Sequence, residues 1–336
     1  MNTKLPKVVA LIVATSLTLT ACSNSSNSSS SSSESAATSS AAANGTVTVE
    51  DNFGTVEIAT PVNRVASTDN RTFEVLEQWG IDLVAAPLPL IPSTISYKTD
   101  ESIVDLGSHR EPNLEALVAA EPDLIISGQR FSQHYEAMKT LNPNVPIVDF
   151  EPRDGESLDE ELKRQVTELG KIFNKESEAD QLIADFDAAL KRAKQAYNGN
   201  DTVMAVNVSG GEIGYIAPSV GRTFGPVFDL LGLKPALEIE NASSNHRGDD
   251  ISVEAIAESN PQWIFVLDRD GAINADKEGY TPALDVIKNN AALANLAVVS
   301  DGKIIVAPQD TYTNESIITY TEILNSIADA FEAQKS

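Results

Sequence analysis

Five side chains stand out for the chemistry they could do together. Arg130, Arg222 and Arg269 carry guanidiniums, which stay charged when buried and offer forked donors to anionic oxygens. His246, in Asn245-His246-Arg247-Gly248, and Tyr312, in Pro308-Gln309-Asp310-Thr311-Tyr312, add an imidazole and a phenol. Both groups are competent iron ligands, and a bound ferric ion lowers the pKa of the phenol. Three cations facing one cleft would ask for a ligand with several negative charges. Taken singly, each arginine also reads as a surface residue paired with a local acid such as Asp268 or Asp270. His246 and Tyr312 likewise also read as ordinary loop residues. The matched placement of their segments favours the functional reading.

That placement comes from internal repetition. Arg71-Thr72-Phe73 leads into Glu74–Trp79 and Gly80-Ile81, and Arg222-Thr223-Phe224 leads into Gly225–Leu231 and Gly232-Leu233. Asn113-Leu114-Glu115-Ala116-Leu117 runs to Glu121-Pro122 and an apolar stretch, Leu124–Ser127. Ser252-Val253-Glu254-Ala255-Ile256 runs to Asn260-Pro261 and Trp263–Leu267. Glu to Pro is seven residues in both copies, and an arginine, Arg130 or Arg269, follows fifteen residues after each Glu. Two lobes of one topology are expected.

The elements that must position these residues are short apolar runs alternating with helical patterns. Expected strands are Arg64–Ser67, Leu83–Ala86, Leu124–Ser127, Pro146–Phe150, Val203–Val208, Trp263–Leu267 and Lys303–Ala307, after an opening hairpin over Thr46–Ala59. Strands separated by helices give an α/β fold with mostly parallel sheets. Glu176–Tyr197 reads as one long helix, with Ala179, Ile183, Phe186, Leu190, Ala193 and Tyr197 on its apolar stripe. At about 33 Å it is long enough to bridge the lobes as a stiff connector. The expected organisation is a first lobe over 46–175, the helix over 176–197 and a second lobe over 198–336. In open α/β sheets ligands bind beyond the carboxyl ends of the strands, which is where Arg130 and Arg269 fall. His246 and Tyr312 are expected at the rim of the same cleft.

Composition narrows the function. Lys and Arg number 24 against 49 Asp and Glu, a formal charge of −25, and no segment offers the basic face a nucleic-acid binder needs. A hydrophobic share of 42% excludes a wholly disordered chain. Gly-x-Ser-x-Gly, His-Glu-x-x-His and Cys-x-x-Cys are all missing, so no catalysis is expected. His109, His134 and His246 are the only histidines and lie in different segments, which disfavours a site for a bare metal ion.

Residues 1–21 read as a signal peptide, with Lys4 and Lys7 before a short apolar run. Leu19-Thr20-Ala21-Cys22 resembles a bacterial lipobox, which implies cleavage before the only cysteine and its lipidation, palmitate included. Residues 22–45 are almost entirely small and polar and read as a flexible tether. The expected location is the extracytoplasmic face of the cell membrane, held by the lipid at Cys22.

The chain from about Val47 onward resembles the lipid-anchored binding proteins of bacterial ABC importers for ferric siderophores, especially the iron–catecholate branch. The resemblance rests on Gly221-Arg222-Thr223-Phe224-Gly225…Asp229-Leu230-Leu231-Gly232, on Asn245-His246-Arg247-Gly248-Asp249-Asp250-Ile251-Ser252, and on Asn260-Pro261…Trp263-Ile264-Phe265-Val266-Leu267-Asp268-Arg269. It implies two Rossmann-like lobes joined by a single long helix, a ferric siderophore as ligand, an ABC permease as partner, a monomer and no resident cofactor. The ligand-binding arginines of that family fall on Arg130, Arg222 and Arg269. Its metal-completing residues, used when the siderophore leaves iron positions open, fall on His246 and Tyr312, and its permease-docking glutamates on Glu115 and Glu254. The alternative within the same fold is a haem, cobalamin or metal-ion carrier. This chain departs from the pattern at Arg247, a fourth cleft cation, and at Thr313-Asn314-Glu315-Ser316, where relatives are apolar. Arg71 adds a first-lobe cation with no family position.

Overall fold

The structure, a computed structural model, describes residues 45–335. The signal peptide, Cys22 and nearly all of the tether lie outside these residues, as does Ser336. Gly45, expected at the end of the tether, is instead the first residue of a strand. β1 (Gly45–Asp51) and β2 (Gly54–Thr60) form an antiparallel hairpin in which Val49 faces Val56.

The first lobe is a parallel sheet. Its strands are β3 (Val65–Ser67), β4 (Leu83–Ala86), β5 (Val104–Asp105), β8 (Leu124–Ser127) and β9 (Ile147–Asp149), in the order β5-β4-β3-β8-β9. A two-residue pair, β6 (Gly107–Ser108) and β7 (Glu111–Pro112), lies apart from it. The second lobe centres on β10 (Thr202–Ser209), with β13 (Trp263–Asp268) and β14 (Ile304–Val306) parallel to it on one side. β11 (Glu212–Ile216) pairs antiparallel on the other, and β12 (Lys234–Pro235) adds a short parallel contact.

Strand side chains alternate between two buried faces, as the period of two requires. Val203 and Ala205 with Trp263, Phe265 and Leu267 face a central core, while Met204, Val206 and Val208 with Ile264 and Val266 face an outer one. The first lobe repeats this, with Leu124, Ile126 and Val148 inside and Ala66, Ile125 and Ile147 outside. The first lobe's outer face is covered by α2 (Leu114–Ala119) and α3 (Tyr135–Leu141), through Leu117 and Met138. The second lobe's is covered by α7 (Val253–Glu258), α9 (Ala283–Asn289) and α10 (Ala297–Ser300), through Ile256, Ile287 and Val298. Both inner faces share one continuous core with α1 (Phe73–Gln78), α4 (Leu158–Phe173), α5 (Glu176–Ala196), α6 (Gly225–Leu231) and α11 (Ile317–Ala333).

α5 carries the chain from the first lobe to the second. Gly170 of α4 packs so closely on Ala179 that an added Cβ would come within 2.9 Å of it. α11 lies along α5, and Arg192 near the end of α5 reaches Glu332 at 2.6 Å near the end of α11. Because neighbours cover α5 on more than one side, Leu182, Ala189 and Ala196 are buried with the expected stripe. Ile183 and Tyr197, expected on that stripe, are only half-buried.

The repeat seen in the sequence is matched in backbone detail. Both α2 and α7 are six residues long, and their N-terminal caps Asn113 and Ser252 each accept a hydrogen bond from the amide three residues on. Glu121 and Asn260, each just before a proline, both adopt left-handed φ, 46° and 44°.

Candidate ligand-binding site

The cleft between the lobes is organised by one loop, Thr311–Ser316, which connects the end of β14 to α11. Four arginines from the two lobes converge on it, in two repeat-related pairs.

The first pair meets at Tyr312. Arg130 follows the first-lobe strand β8, and its Nη2 donates to the Tyr312 hydroxyl at 3.1 Å. Arg269 opens α8 (Arg269–Asn274) at the end of β13, and its guanidinium lies 5.1 Å from the Tyr312 ring centroid. Arg222 is closer still at 4.2 Å, and Arg130 stands at 5.8 Å, so three cations surround one aromatic ring within cation–π range. Tyr312 was expected at the rim but is only 3% exposed. Burial alone would raise its pKa, but Arg222, Arg269 and Arg130 outweigh this and hold the phenol below its ordinary value.

The second pair meets at Glu315. Arg222 Nη2 sits 3.0 Å from one Glu315 oxygen and donates to the Tyr312 carbonyl at 2.7 Å. Arg71, the equivalent of Arg222 in the repeat, places Nη2 3.5 Å from Glu315 and Nη1 3.7 Å from Glu151. Thr223 Oγ1 completes the Glu315 site at 2.6 Å. Burial would raise the pKa of Glu315, but Arg222 and Arg71 and its hydrogen bonds hold it below the ordinary value. Glu151 accepts from Ser132 Oγ at 2.8 Å, and burial pushes its carboxyl up. Arg222 is aimed by a tight turn: a Cβ at Gly221 would lie 2.5 Å from the Ala217 carbonyl oxygen.

His246 is at the exposed rim, its carbonyl accepting from Asn207 Nδ2 at 3.0 Å. Burial first, then Arg269, Arg247, Arg130 and Arg222, lower its pKa, which favours the neutral imidazole able to ligate a metal. Arg269 Nη1 donates to Ser209 Oγ at 3.1 Å and lies 3.9 Å from Asp270, while its buried Nε has no partner. The structure thus brings Arg130, Arg222, Arg269, Tyr312 and His246 to one cleft. Beside the Tyr312 cluster is a small cavity of about 30 Å³, and next to it an open space of about 740 Å³ bounded by Arg71, Glu151, Arg222 and Glu315. The larger space is in the range of small-molecule sites. Glu115 and Glu254 are elsewhere, exposed in the first turns of α2 and α7, and neither side chain has an ion pair or hydrogen bond among the described residues.

Behind the arginines lies a group that the sequence did not single out. Asp69 is fully buried; it accepts from the Arg71 amide at 2.9 Å and from Gln165 Nε2 at 3.0 Å. Gly128 closes over it so tightly that a Cβ there would lie 2.6 Å from the Asp69 carboxyl carbon. Glu315 and Glu151 were also missed as site residues. The repeat marks Arg71 beside Arg222, and both arginines lie within ion-pair distance of Glu315, but nothing in the repeat marks the carboxylates themselves.

Comparison with known proteins bears on the fold and the family. The model of the periplasmic binding protein family matches residues 65–311. The chain is 30% identical over 292 residues to the ferric-anguibactin-binding protein FatB of Vibrio anguillarum, covering 85% of this chain and 88% of that one. It is 27% identical over 276 residues to the petrobactin-binding protein YclQ of Bacillus subtilis, covering 80% and 82%. The solved structure of YclQ superposes with a TM-score of 0.73 at 24% identity, covering 86% of this chain and 99% of that one. The catecholate-siderophore binding protein VctP of Vibrio cholerae gives 0.72 at 24%, covering 86% and 100%. With the family model matching most of the chain, residues 65–311, the chain belongs to the periplasmic binding protein family.

Proposed function

We propose that this protein binds a ferric siderophore of catecholate type outside the cytoplasm and delivers it to an ABC permease for iron uptake. The observation that carries the reading is the convergence of Arg130, Arg222 and Arg269 on one cleft, where forked donors meet the anionic oxygens of a chelate. Relatives named for ferric anguibactin and petrobactin support the same ligand class. Among the described residues no group of three or more His, Cys, Asp or Glu is placed to hold a metal ion, which supports a chelated ion over a bare one. The iron is cargo, bound and released with no bond of the ligand broken. In this reading His246 and Tyr312 are the groups that can enter iron positions the chelator leaves open. Glu115 and Glu254 meet the permease, the lipid at Cys22 holds the protein at the membrane, and it works as a monomer.

Titration with ferric siderophores tests this, read by quenching of the two tryptophans, Trp79 and Trp263. Arg269→Ala is the informative variant, because the Arg269 guanidinium has no close ion pair to strand. We expect wild-type binding of ferric catecholates and a loss of about 1.5–3 kcal/mol in the variant, the size of a hydrogen bond to a charged group. Unchanged affinity would remove Arg269 from the site, and quenching by haem with none by any ferric catecholate would refute the ligand class.

A further inference from the structure

The two spaces of the cleft differ in what they offer a ligand. On one side Arg130 donates to the Tyr312 phenol, Arg269 has its closest ion pair at 3.9 Å, and Arg247 stands exposed at the rim. These guanidiniums are free to meet an anionic chelate. The open space of about 740 Å³ is different. Its cations are Arg71, which lies between Glu315 and Glu151, Arg222, which is paired with Glu315, and Arg153, whose Nε donates to Glu161 at 3.0 Å. Asp154 and Glu156, exposed at its edge, add two further carboxylates. An anion entering there would exchange its water for a wall whose positive charges are already matched.

What that space does offer is apolar surface. Pro152 and Leu158 from the first lobe stand with Val220, Pro226 and Leu230 from the second. A single exposed valine is ordinary on a protein surface, but Val220, 49% exposed, is held out by a constrained turn. The Ser219 amide donates to the Gly225 carbonyl and the Gly221 amide to the Ala217 carbonyl, both at 2.9 Å. Ser219 and Thr223 both take left-handed φ, 64° and 60°, which is costly for a β-branched residue such as Thr223. The same turn aims Arg222 at Glu315 and leaves Val220 on the wall of the open space. Arg222 and Glu315 line both this space and the small cavity beside Tyr312, so one ligand can reach across the two.

Resting on the siderophore reading above, we propose that the open space is a second subsite, which takes an uncharged, apolar arm of the siderophore while Arg130, Arg269 and Arg247 face its anionic iron-chelating head. Val220 is a specificity-determining contact for that arm. The paired charges of Arg71, Arg153 and Arg222 keep an anionic arm out, so the two subsites discriminate by opposite chemistry.

The test is a titration of the full chain with three ferric catecholate complexes that share one chelating head. One is bare, one bears an alkyl amide arm, and one bears the same arm ending in a carboxylate. Wild type should bind the alkyl-armed complex about tenfold tighter than the bare one, the effect of burying a side-chain-sized apolar surface, and the carboxylate should cancel that gain. Val220→Asp sets a charge against the arm and should bring the alkyl-armed to bare affinity ratio close to one. A merely structural effect would weaken both complexes together and leave the ratio alone. Equal affinity of wild type for the alkyl-armed and bare complexes, a carboxylate-ended arm bound as tightly as the alkyl one, or a ratio unchanged in Val220→Asp overturns the proposal. If Val220→Asp does not fold, the three complexes on wild type decide by themselves. Binding of none of the three by wild type overturns the siderophore reading itself, and this inference with it.

Discussion

Asp69 gives a pH dependence that can be worked from the structure. Burial pushes its carboxyl from an ordinary 3.8 up to about 7, against the pull of Arg71, with Glu151 and Asp149 adding to the rise. A carboxyl raised on folding binds its proton more tightly in the native state than in the unfolded chain. Its contribution is therefore fully present below about pH 4 and is lost as pH rises to about 7. Each pH unit within that window is worth about 1.4 kcal/mol, so the loss between pH 5 and pH 8 is roughly 2–3 kcal/mol. Asp69→Asn removes the titration and keeps the shape. The new amide can donate to Gln165 Oε1, which is buried without a partner, once that side chain turns over. Urea unfolding of both proteins across pH 5–8 is the assay. Wild type should lose stability relative to Asp69→Asn by the stated amount, with the steepest change between pH 5 and pH 6 and a levelling above about pH 7. Parallel curves would show that Asp69 is ionised throughout and refute the reasoning.

Two further outcomes follow from the cleft loop. Glu74 on α1 accepts from Asn314 Nδ2 at 3.0 Å, Ser316 Oγ at 2.5 Å and Thr319 Oγ1 at 3.3 Å, so Glu74→Ala should cost about 1–3 kcal/mol in urea unfolding, and Glu74→Gln less. Equal stability of all three proteins would mean that water replaces the carboxylate without loss. Tyr312→Phe keeps the ring among its cations but removes the hydroxyl that Arg130 holds. Its visible spectrum with a ferric bis-catecholate should lack the phenolate–iron absorption expected in wild type, and identical spectra would take Tyr312 out of the iron's coordination shell.

Much of this architecture could be read from the sequence where a segment's own pattern decides its structure. Leu83–Ala86 and Leu124–Ser127 are short apolar runs buried on both faces, and their bounds were recognised to the residue. Ser209-Gly210-Gly211-Glu212-Ile213-Gly214 carries three glycines in six residues. The segment is a tight turn running into the edge strand β11, and Gly210 and Gly211 in the turn with Gly214 in the strand hide the strand signal. The cleft arginines were found because the repeat marks them. Glu315 and Glu151 were not, because a carboxylate in a chain with 49 acids carries no local signal. What singles out Glu315 is a partner 93 residues away, Arg222, and a second one in the other lobe. Pairing across that distance is a property of packing, and periodicity does not report it.

The Thr311–Ser316 loop lies late in the chain, immediately before the last helix described. Its residues complete the charge pattern of both lobes, and Ser316 begins α11 by accepting from the Thr319 amide at 3.1 Å. Chain order and site order are therefore opposed. The first lobe's Arg71 and Arg130 are synthesised long before the Glu315 and Tyr312 they end up facing. Until α11 settles along α5, those cations have no second-lobe partner and the cleft has no floor. A chain cut short of α11 would carry both sheets but lack the helix whose N-terminal cap, Ser316, anchors the loop between them.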